Sequence, residues 1–397
     1  MDFKLIGSIL LIVGTSIGAG MLALPIATAQ LGFVGSLFLL FGCWFIMTTG
    51  AFLILEVNLW LPQNSNLISM ARATIGPVGQ IIAWIAFLLL LYSLLCAYIA
   101  GGSDIFHNLL LLSGADVSRS TSSIIFTLLL GAIVYLGIRI VDYVNRGLMF
   151  FKLGAYFLLV VLLMPFISFD QLAGGDLTRI TSATAVMVTI TSFGYAAIVP
   201  SLRIYFAGDV RKLKQSILIG SLIPLVCYII WDMVIMGLIP LDGPNGLLSI
   251  LQSKNSTSDL VNTLSAASSN EASAFFIKLF TSISVVTSFL GVALCLVDFL
   301  ADGLRLENTG GRKVFIHALT FLPPIIVVLI SPNIFVKALE YAGIYCVILL
   351  VLLPAWMAWC GRYRRQIAHG YSVPGGKVLL ASVLFVSLAL LALNIFL

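Results

Sequence analysis

Eleven apolar runs divide the chain, near residues 5–31, 33–60, 79–103, 121–139, 147–168, 181–207, 215–239, 274–301, 313–331, 336–359 and 376–396. A helix needs about 20 apolar residues to cross a bilayer, so these runs constrain the fold more than any other feature. They are continuously apolar, whereas a membrane β-strand alternates apolar and polar positions over about ten residues. In lipid only a helix satisfies its own backbone within such a segment. Composition leads to the same place: 60% of the 397 residues are hydrophobic and 9% charged, against roughly 25% charged in soluble domains. Too few charges are present to wet a soluble surface of this size. The expectation is an all-α integral membrane protein of eleven transmembrane helices embedded in a lipid bilayer.

The first run extends to Leu31 and leads almost directly into the second, so it is expected to stay as a helix and not to be removed as a signal peptide. Six cysteines lie in or beside apolar runs with no C-x-x-C pair and no Cys–His ligand spacing, which reads as small core residues with no metal or cofactor. The net charge of +5 carries no nucleic-acid reading here, because in a membrane chain Lys and Arg report orientation by loop. With the N-terminus in the cytoplasm, sixteen of the 21 basic residues fall on the inner side, among them Arg139, Arg146, Arg203, Arg211, Lys212, Lys214, Arg362, Arg364 and Arg365. Asp104, Asp116, Asp170, Asp176, Asp242, Asp259 and Glu271 then gather outside, together with the C-terminus. The long connection from Asp242 to Ser273 carries apolar residues at helical spacing around Leu247–Leu251 and Leu260–Leu264 and is expected to form short amphipathic helices over an outer vestibule. Its Asn255-Ser256-Thr257 sequon is too short a pattern to carry weight.

Two runs are interrupted. The first holds Gly14-Thr15-Ser16-Ile17-Gly18-Ala19-Gly20, with Pro25 one turn later, and the sixth holds Ser192-Phe193-Gly194-Tyr195 followed by Pro200. Each helical glycine costs about 1 kcal/mol relative to alanine, so discontinuous helices are expected at both places. Four unbroken runs lie between the two. Five crossings are an odd number, so a second five-helix unit runs in the opposite sense to the first. The interrupted helices then become partners about an axis in the membrane plane. The units are residues 1–168 and 181–359, with a cytoplasmic basic loop and an eleventh helix in 360–397.

Unwound backbone deep in a bilayer exposes carbonyls at one half-helix end and amides at the other, and needs partners. A zwitterion supplies both kinds. Its carboxylate suits the amides near Ala19, Gly20 and Met21, and its ammonium suits the carbonyls ending the first half-helix and those of the sixth-helix break. An amino acid is therefore the expected ligand. Gly14-x-x-x-Gly18 also matches a helix-packing motif, and Gly14-x-Ser16-x-Gly18 matches a nucleophile elbow. An elbow needs a strand, an acid and a histidine, and the three histidines, His107, His317 and His369, all lie near helix ends or in loops. A serine enzyme at Ser16 is the remote alternative, and a channel a third option. Neither explains two interruptions five crossings apart.

Of the charged residues inside apolar runs, Glu56, Asp298 and Glu340 lie near helix ends and are expected to snorkel or cap. Asp232 is ambiguous. Lys152 falls about one and a half turns into the fifth run, where it either snorkels or points inward. Because burial penalises a charged amine, an inward Lys152 is suited to taking up and releasing a proton during a transport cycle. Tyr92 and Cys96, one turn apart in the third run, are candidates to face the cavity, as are the hydroxyls of Thr287 and Ser288 in the eighth.

The motifs G-T-S-I-G-A-G-M-L-A-L-P at 14–25, L-E-V at 55–57, S-F-G-Y-x-x-x-V-P-S at 192–201, R-K-L at 211–213, T-S-F-L-G-V-A-L at 287–294, L-A-D at 300–302 and T-F-L-P-P at 320–324 resemble, in this order, those of the hydroxy and aromatic amino acid permeases. They come closest to the bacterial tyrosine permeases. The resemblance spans nearly the whole chain. It implies the five-plus-five inverted repeat of the leucine-transporter fold with one extra helix. It also implies proton-coupled import of an aromatic amino acid, tyrosine first and tryptophan or phenylalanine next, across the bacterial inner membrane. By the same resemblance the substrate's amino and carboxylate groups sit at Ser16, Gly18, Ala19 and Gly20 and at Ser192, Phe193, Gly194 and Tyr195, with Phe193 as an aromatic lid. Sodium-coupled relatives use helix 8 hydroxyls where Thr287 and Ser288 fall, and proton-coupled relatives place a helix 5 lysine there, which Lys152 matches.

Overall fold

The computed structural model describes residues 3–268, 271–306 and 309–396; the outermost residues of the two terminal units, 1–2 and 397, lie outside the described residues. In chain order the helices are α1 (Phe3–Ser16), α2 (Gly20–Thr28), α3 (Gly32–Leu59), α4 (Leu67–Thr74), α5 (Pro77–Leu112), α6 (Arg119–Leu136), α7 (Ile138–Leu163), α8 (Phe169–Leu172) and α9 (Ala183–Ser192). They continue with α10 (Val199–Tyr205), α11 (Val210–Leu238), α12 (Leu247–Gln252), α13 (Ser256–Ala267), α14 (Glu271–Leu304), α15 (Gly310–Ile330), α16 (Phe335–Val347), α17 (Leu353–Trp359) and α18 (Gly376–Phe396). Among the described residues ten stretches are long and apolar enough to cross a membrane, and α1 is a shorter apolar helix that meets α2 across a bend. The protein is an all-helical, multi-pass membrane protein. Phe38, Phe45, Phe150, Phe157, Val378 and Phe385 stand exposed on its outer face, where lipid is their solvent.

The two interruptions lie in the interior. Every residue of α2 is buried; α2 packs on α9 and α11, α1 packs on α11, and α14 and α16 each pack on α5. The chain turns from α2 into α3 through a 3-10 turn at Ala29–Leu31 and Gly32, whose φ of +67° suits glycine. A Cβ on Gly32 would stand 1.8 Å from the Gly174 carbonyl oxygen. That close approach docks the loop before α9 onto the end of α2, where Asp176 N–H donates to Gln30 O at 2.9 Å.

The long connection forms the expected short helices. α12 packs on α2, and α13 packs on α14 and α5, with Asp104 accepting from Ser258 N at 2.8 Å at the start of α13. Two elements differ from the expectation. The loop after α3 contains α4, held by an Asn66–Ser69 capping box. The helix expected from residue 147 begins at Ile138, because Arg139, Asp142 and Arg146 form the polar face of its exposed first turns and not a loop. The Asp142–Arg146 pair, 2.8 Å apart, braces that face at i,i+4.

Candidate functional site

The first interruption is three residues long. Ile17 N–H makes the last α1-type bond, to Val13 O at 2.8 Å, and α2 starts at Gly20 with no side-chain cap from Ala19. The exposed amide of Ala19 is met from another helix: it donates to Ser288 Oγ of α14 at 3.0 Å. Glycine makes this approach possible. A Cβ on Gly18 would lie 2.4 Å from Ser288 Oγ, and one on Gly20 would lie 3.3 Å from Ser192 Oγ.

The second interruption follows Ser192. Phe193 takes φ −100° and ψ 25°, a 3-10 turn runs over Gly194–Ile198, and α10 resumes with Pro200 in its first turn. The two breaks meet at Tyr228 of α11. Its hydroxyl lies 2.6 Å from Ser16 O, at the end of α1, and 2.8 Å from Ser192 O, at the end of α9. A tyrosine hydroxyl has one proton, so it donates to one of these carbonyls at a time and the other is open to a second donor. Phe193, fully buried, sets its ring edge-on to that of Tyr228 at 5.2 Å.

Lys152 meets the next carbonyl of the first break. Because α7 begins at Ile138, this residue is about four turns into the helix and, at 1% exposure, does not snorkel. Its amine donates to Ile17 O at 2.5 Å and to Thr287 Oγ1 at 3.3 Å. Thr287 donates its own proton to Ile283 O at 2.9 Å, which leaves an oxygen lone pair for the amine. No carboxylate is within ion-pair distance of Lys152 among the described residues. The amine is held by dipoles alone, in the place between the helix 1 break and α14 that a small cation would also suit.

The structure thus brings together Ser16, Gly18, Ala19, Gly20, Ser192, Phe193, Lys152, Thr287 and Ser288. Ser16 Oγ itself donates to Ile12 O at 3.0 Å within its own helix. Gly194 lies against Cys346 of α16. Three candidates point elsewhere. Tyr195 turns its hydroxyl to Thr48 of α3, 3.0 Å away. Tyr92 donates to Leu319 O of α15 at 2.8 Å, and Cys96 is also directed at α15, at Pro324 O. The reason is in α15: Pro323 has no N–H to give to the carbonyl four residues earlier, and Tyr92 supplies that donor. Tyr98, on a different face of α5, is the buried tyrosine beside Ser288 and Cys346. Tyr98 and Tyr228 are two further residues that the structure sets against the breaks and their partners, beyond the candidates named from the sequence. Tyr98 shares its apolar run with Tyr92, Tyr228 is the single tyrosine of its run, and neither has a local signal beyond its helical phase.

The expectation for Glu56 is corrected. Its carboxylate is fully buried and does not reach water. It forms a bidentate pair with Arg362 at 2.7 and 2.6 Å and accepts Val373 N–H at 2.7 Å, tying the end of α3 to the π-helical turn after α17. Arg203 reinforces the same region by donating to Asn58 O and to Leu61 O, the latter at 2.9 Å. Asp298 is exposed, as a snorkelling residue should be, and Glu340 accepts from Thr184 at 2.8 Å.

Comparison with known proteins sets the chain beside known relatives. The family model described as the tryptophan/tyrosine permease family matches residues 1–394. Tyrosine-specific transport system 1 of Haemophilus influenzae is 36% identical over 382 residues, covering 96% of this chain and 94% of the relative. The tryptophan-specific transport protein of the same organism is 33% identical, covering 96% and 93%. Glutamine transporter 2 of Aliivibrio fischeri is 31% identical, covering 98% and 99%.

Proposed function

The chain belongs to the tryptophan/tyrosine permease family, and from that premise we propose that it is a secondary active transporter importing an aromatic L-amino acid, tyrosine first, together with protons across the bacterial inner membrane. It is a permease and not an enzyme. In this reading residues 1–168 and 181–359 are two five-helix units of opposite sense, with α18 as the extra helix, the N-terminus in the cytoplasm and the C-terminus outside.

The observation that carries the reading is the convergence of Ser16 O and Ser192 O on one tyrosine hydroxyl. The substrate ammonium takes the carbonyl that Tyr228 leaves open. The carboxylate takes the amides at the start of α2, where a helix N-terminus favours an anion, beside Ser288. Phe193 covers the bound molecule from the sixth-helix side. Lys152 favours protons over sodium, because its amine fills the place between Ile17 O and Thr287 Oγ1 that a sodium ion would otherwise occupy. A relative described as a glutamine transporter makes a broader neutral amino acid the second reading of the substrate.

Proteoliposomes containing the protein should accumulate labelled tyrosine when an inward proton gradient is imposed, with unlabelled tryptophan, phenylalanine and glutamine as competitors. Uptake driven by a sodium gradient and indifferent to protons would overturn the coupling. Uptake inhibited by glutamine more strongly than by any aromatic amino acid would overturn the substrate.

A further inference from the structure

Asp232 on α11 is a fully buried carboxyl that plays no part in the site described above. Two hydroxyls stand beside it, and they are not equivalent. Ser36 of α3 donates to Oδ2. Thr28, the last residue of α2, also lies against the carboxyl, but its one proton is shared between Asp232 and Leu24 O, 2.8 Å away. The second carboxyl oxygen, Oδ1, has no hydrogen-bond partner.

An ionised carboxylate accepts hydrogen bonds and cannot donate them. Here it would have one full donor at Ser36, a half-committed hydroxyl at Thr28 and, among the described residues, no cation beside it, a combination that a dry interior penalises. A protonated carboxyl accepts from Ser36 and has an O–H to give to an oxygen such as that of Thr28. The surroundings therefore fit the acid and not its anion. The titratable groups facing it are Tyr156 of α7, whose hydroxyl donates to Cys227 O at 2.9 Å, and Cys227 and Tyr228 of its own helix. The helices α2 and α12, and α3 around Ser36, carry no titratable side chain. Asp170 on α8 and Asp259 on α13 are acids, and Lys152 of α7 is turned to Ile17 and Thr287.

The enclosure depends on α2. Thr28 ends the half-helix that begins after the Ile17–Ala19 interruption, and a half-helix hinged there opens the seam between α2, α3 and α11 to water. Once wetted, the carboxyl has the solvation its anion needs. We propose that Asp232 is a second proton-carrying site of the transport cycle, separate from Lys152; this rests on the proton-coupled reading above. The carboxyl takes up a proton from the outer side before α2 closes over it, stays neutral while enclosed, and gives the proton up on the cytoplasmic side when the closed half-helices reopen inward.

The test is the accumulation ratio of labelled tyrosine in proteoliposomes of the full-length protein over a series of imposed pH gradients. One proton fewer per substrate lowers that ratio by about tenfold for each unit of gradient. Asp232→Asn, which holds the site neutral, should show this fall while retaining counterflow exchange, and Asp232→Glu should recover part of it. A wild-type ratio in Asp232→Asn at every gradient would overturn the proposal and leave the transporter reading intact. If the wild type itself shows no gradient-driven uptake, both fall together. Should Asp232→Asn fail to fold, infrared spectra of the wild type labelled with carboxyl-¹³C aspartate decide. A protonated-carboxyl band that diminishes over the pH range in which uptake declines supports the second site, and a spectrum without one overturns it.

Discussion

The amine of Lys152 donates to the carbonyl oxygen of Ile17 at 2.5 Å, within the interruption between α1 and α2. A residue on the fifth membrane helix thereby completes the backbone that the first leaves open, and any change in the amine's charge acts directly on that interruption. Lys152→Ala should abolish the response of uptake to an imposed proton gradient while leaving counterflow exchange partly intact. The check is uptake measured across pH for both forms, and an unchanged pH response contradicts this role.

Tyr228 holds the two breaks together through one proton, so removing its hydroxyl leaves Ser16 O and Ser192 O without that donor. Tyr228→Phe should destabilise the substrate-free protein by about 1–3 kcal/mol, the usual cost of unpaired buried polar groups. The substrate ammonium then replaces the lost donor, so saturating tyrosine should raise the melting temperature of the variant by more than it raises that of the wild type. Equal ligand-induced shifts would contradict this arrangement.

Gly18 and Ser288 are coupled by contact, since a Cβ on Gly18 would lie 2.4 Å from the oxygen that accepts Ala19 N–H. Gly18→Ala should displace that hydroxyl and weaken tyrosine binding about tenfold, the worth of one good hydrogen bond. Adding Ser288→Gly should restore space but not the bond. Its further cost in the alanine background should therefore be smaller than its cost alone, a non-additivity measurable as a double-mutant cycle.

The Glu56–Arg362 pair is buried and bidentate, and breaking one partner strands a charge. Glu56→Ala should cost about 3–5 kcal/mol in thermal unfolding, while the apolar double replacement Glu56→Met with Arg362→Leu should cost less than the single.

Tyr92→Phe is expected to lower stability by about 1 kcal/mol, through the orphaned Leu319 carbonyl, with tyrosine affinity unchanged. A large loss of affinity would return Tyr92 to the binding site.

Both interruptions were legible because glycine and proline mark them in the chain itself: Gly14, Gly18, Gly20 and Pro25 in one run, Gly194 and Pro200 in the other. The partners were less so. Lys152 was found, but its depth depends on where α7 begins, and the charged turn containing Asp142 and Arg146 reads as a loop until the pair between them is seen. Tyr92 is a cavity candidate by its helical phase, whereas its hydroxyl donates to Leu319 O, a carbonyl that Pro323 leaves in need of a donor. Glu56 looked interfacial by its distance from the helix end, whereas its partner Arg362 lies 306 residues away, a separation no local pattern spans. Tyr228 depends on the rotation of α11 against both breaks, which only packing fixes.

The central claim is that the broken helices read a zwitterion. Its most direct test is displacement of labelled tyrosine from the purified protein by tyramine, which lacks the carboxylate, and by 4-hydroxyphenylpropionate, which lacks the ammonium. Neither should compete at concentrations where unlabelled tyrosine does. Competition by either one as effective as that of tyrosine would contradict the site.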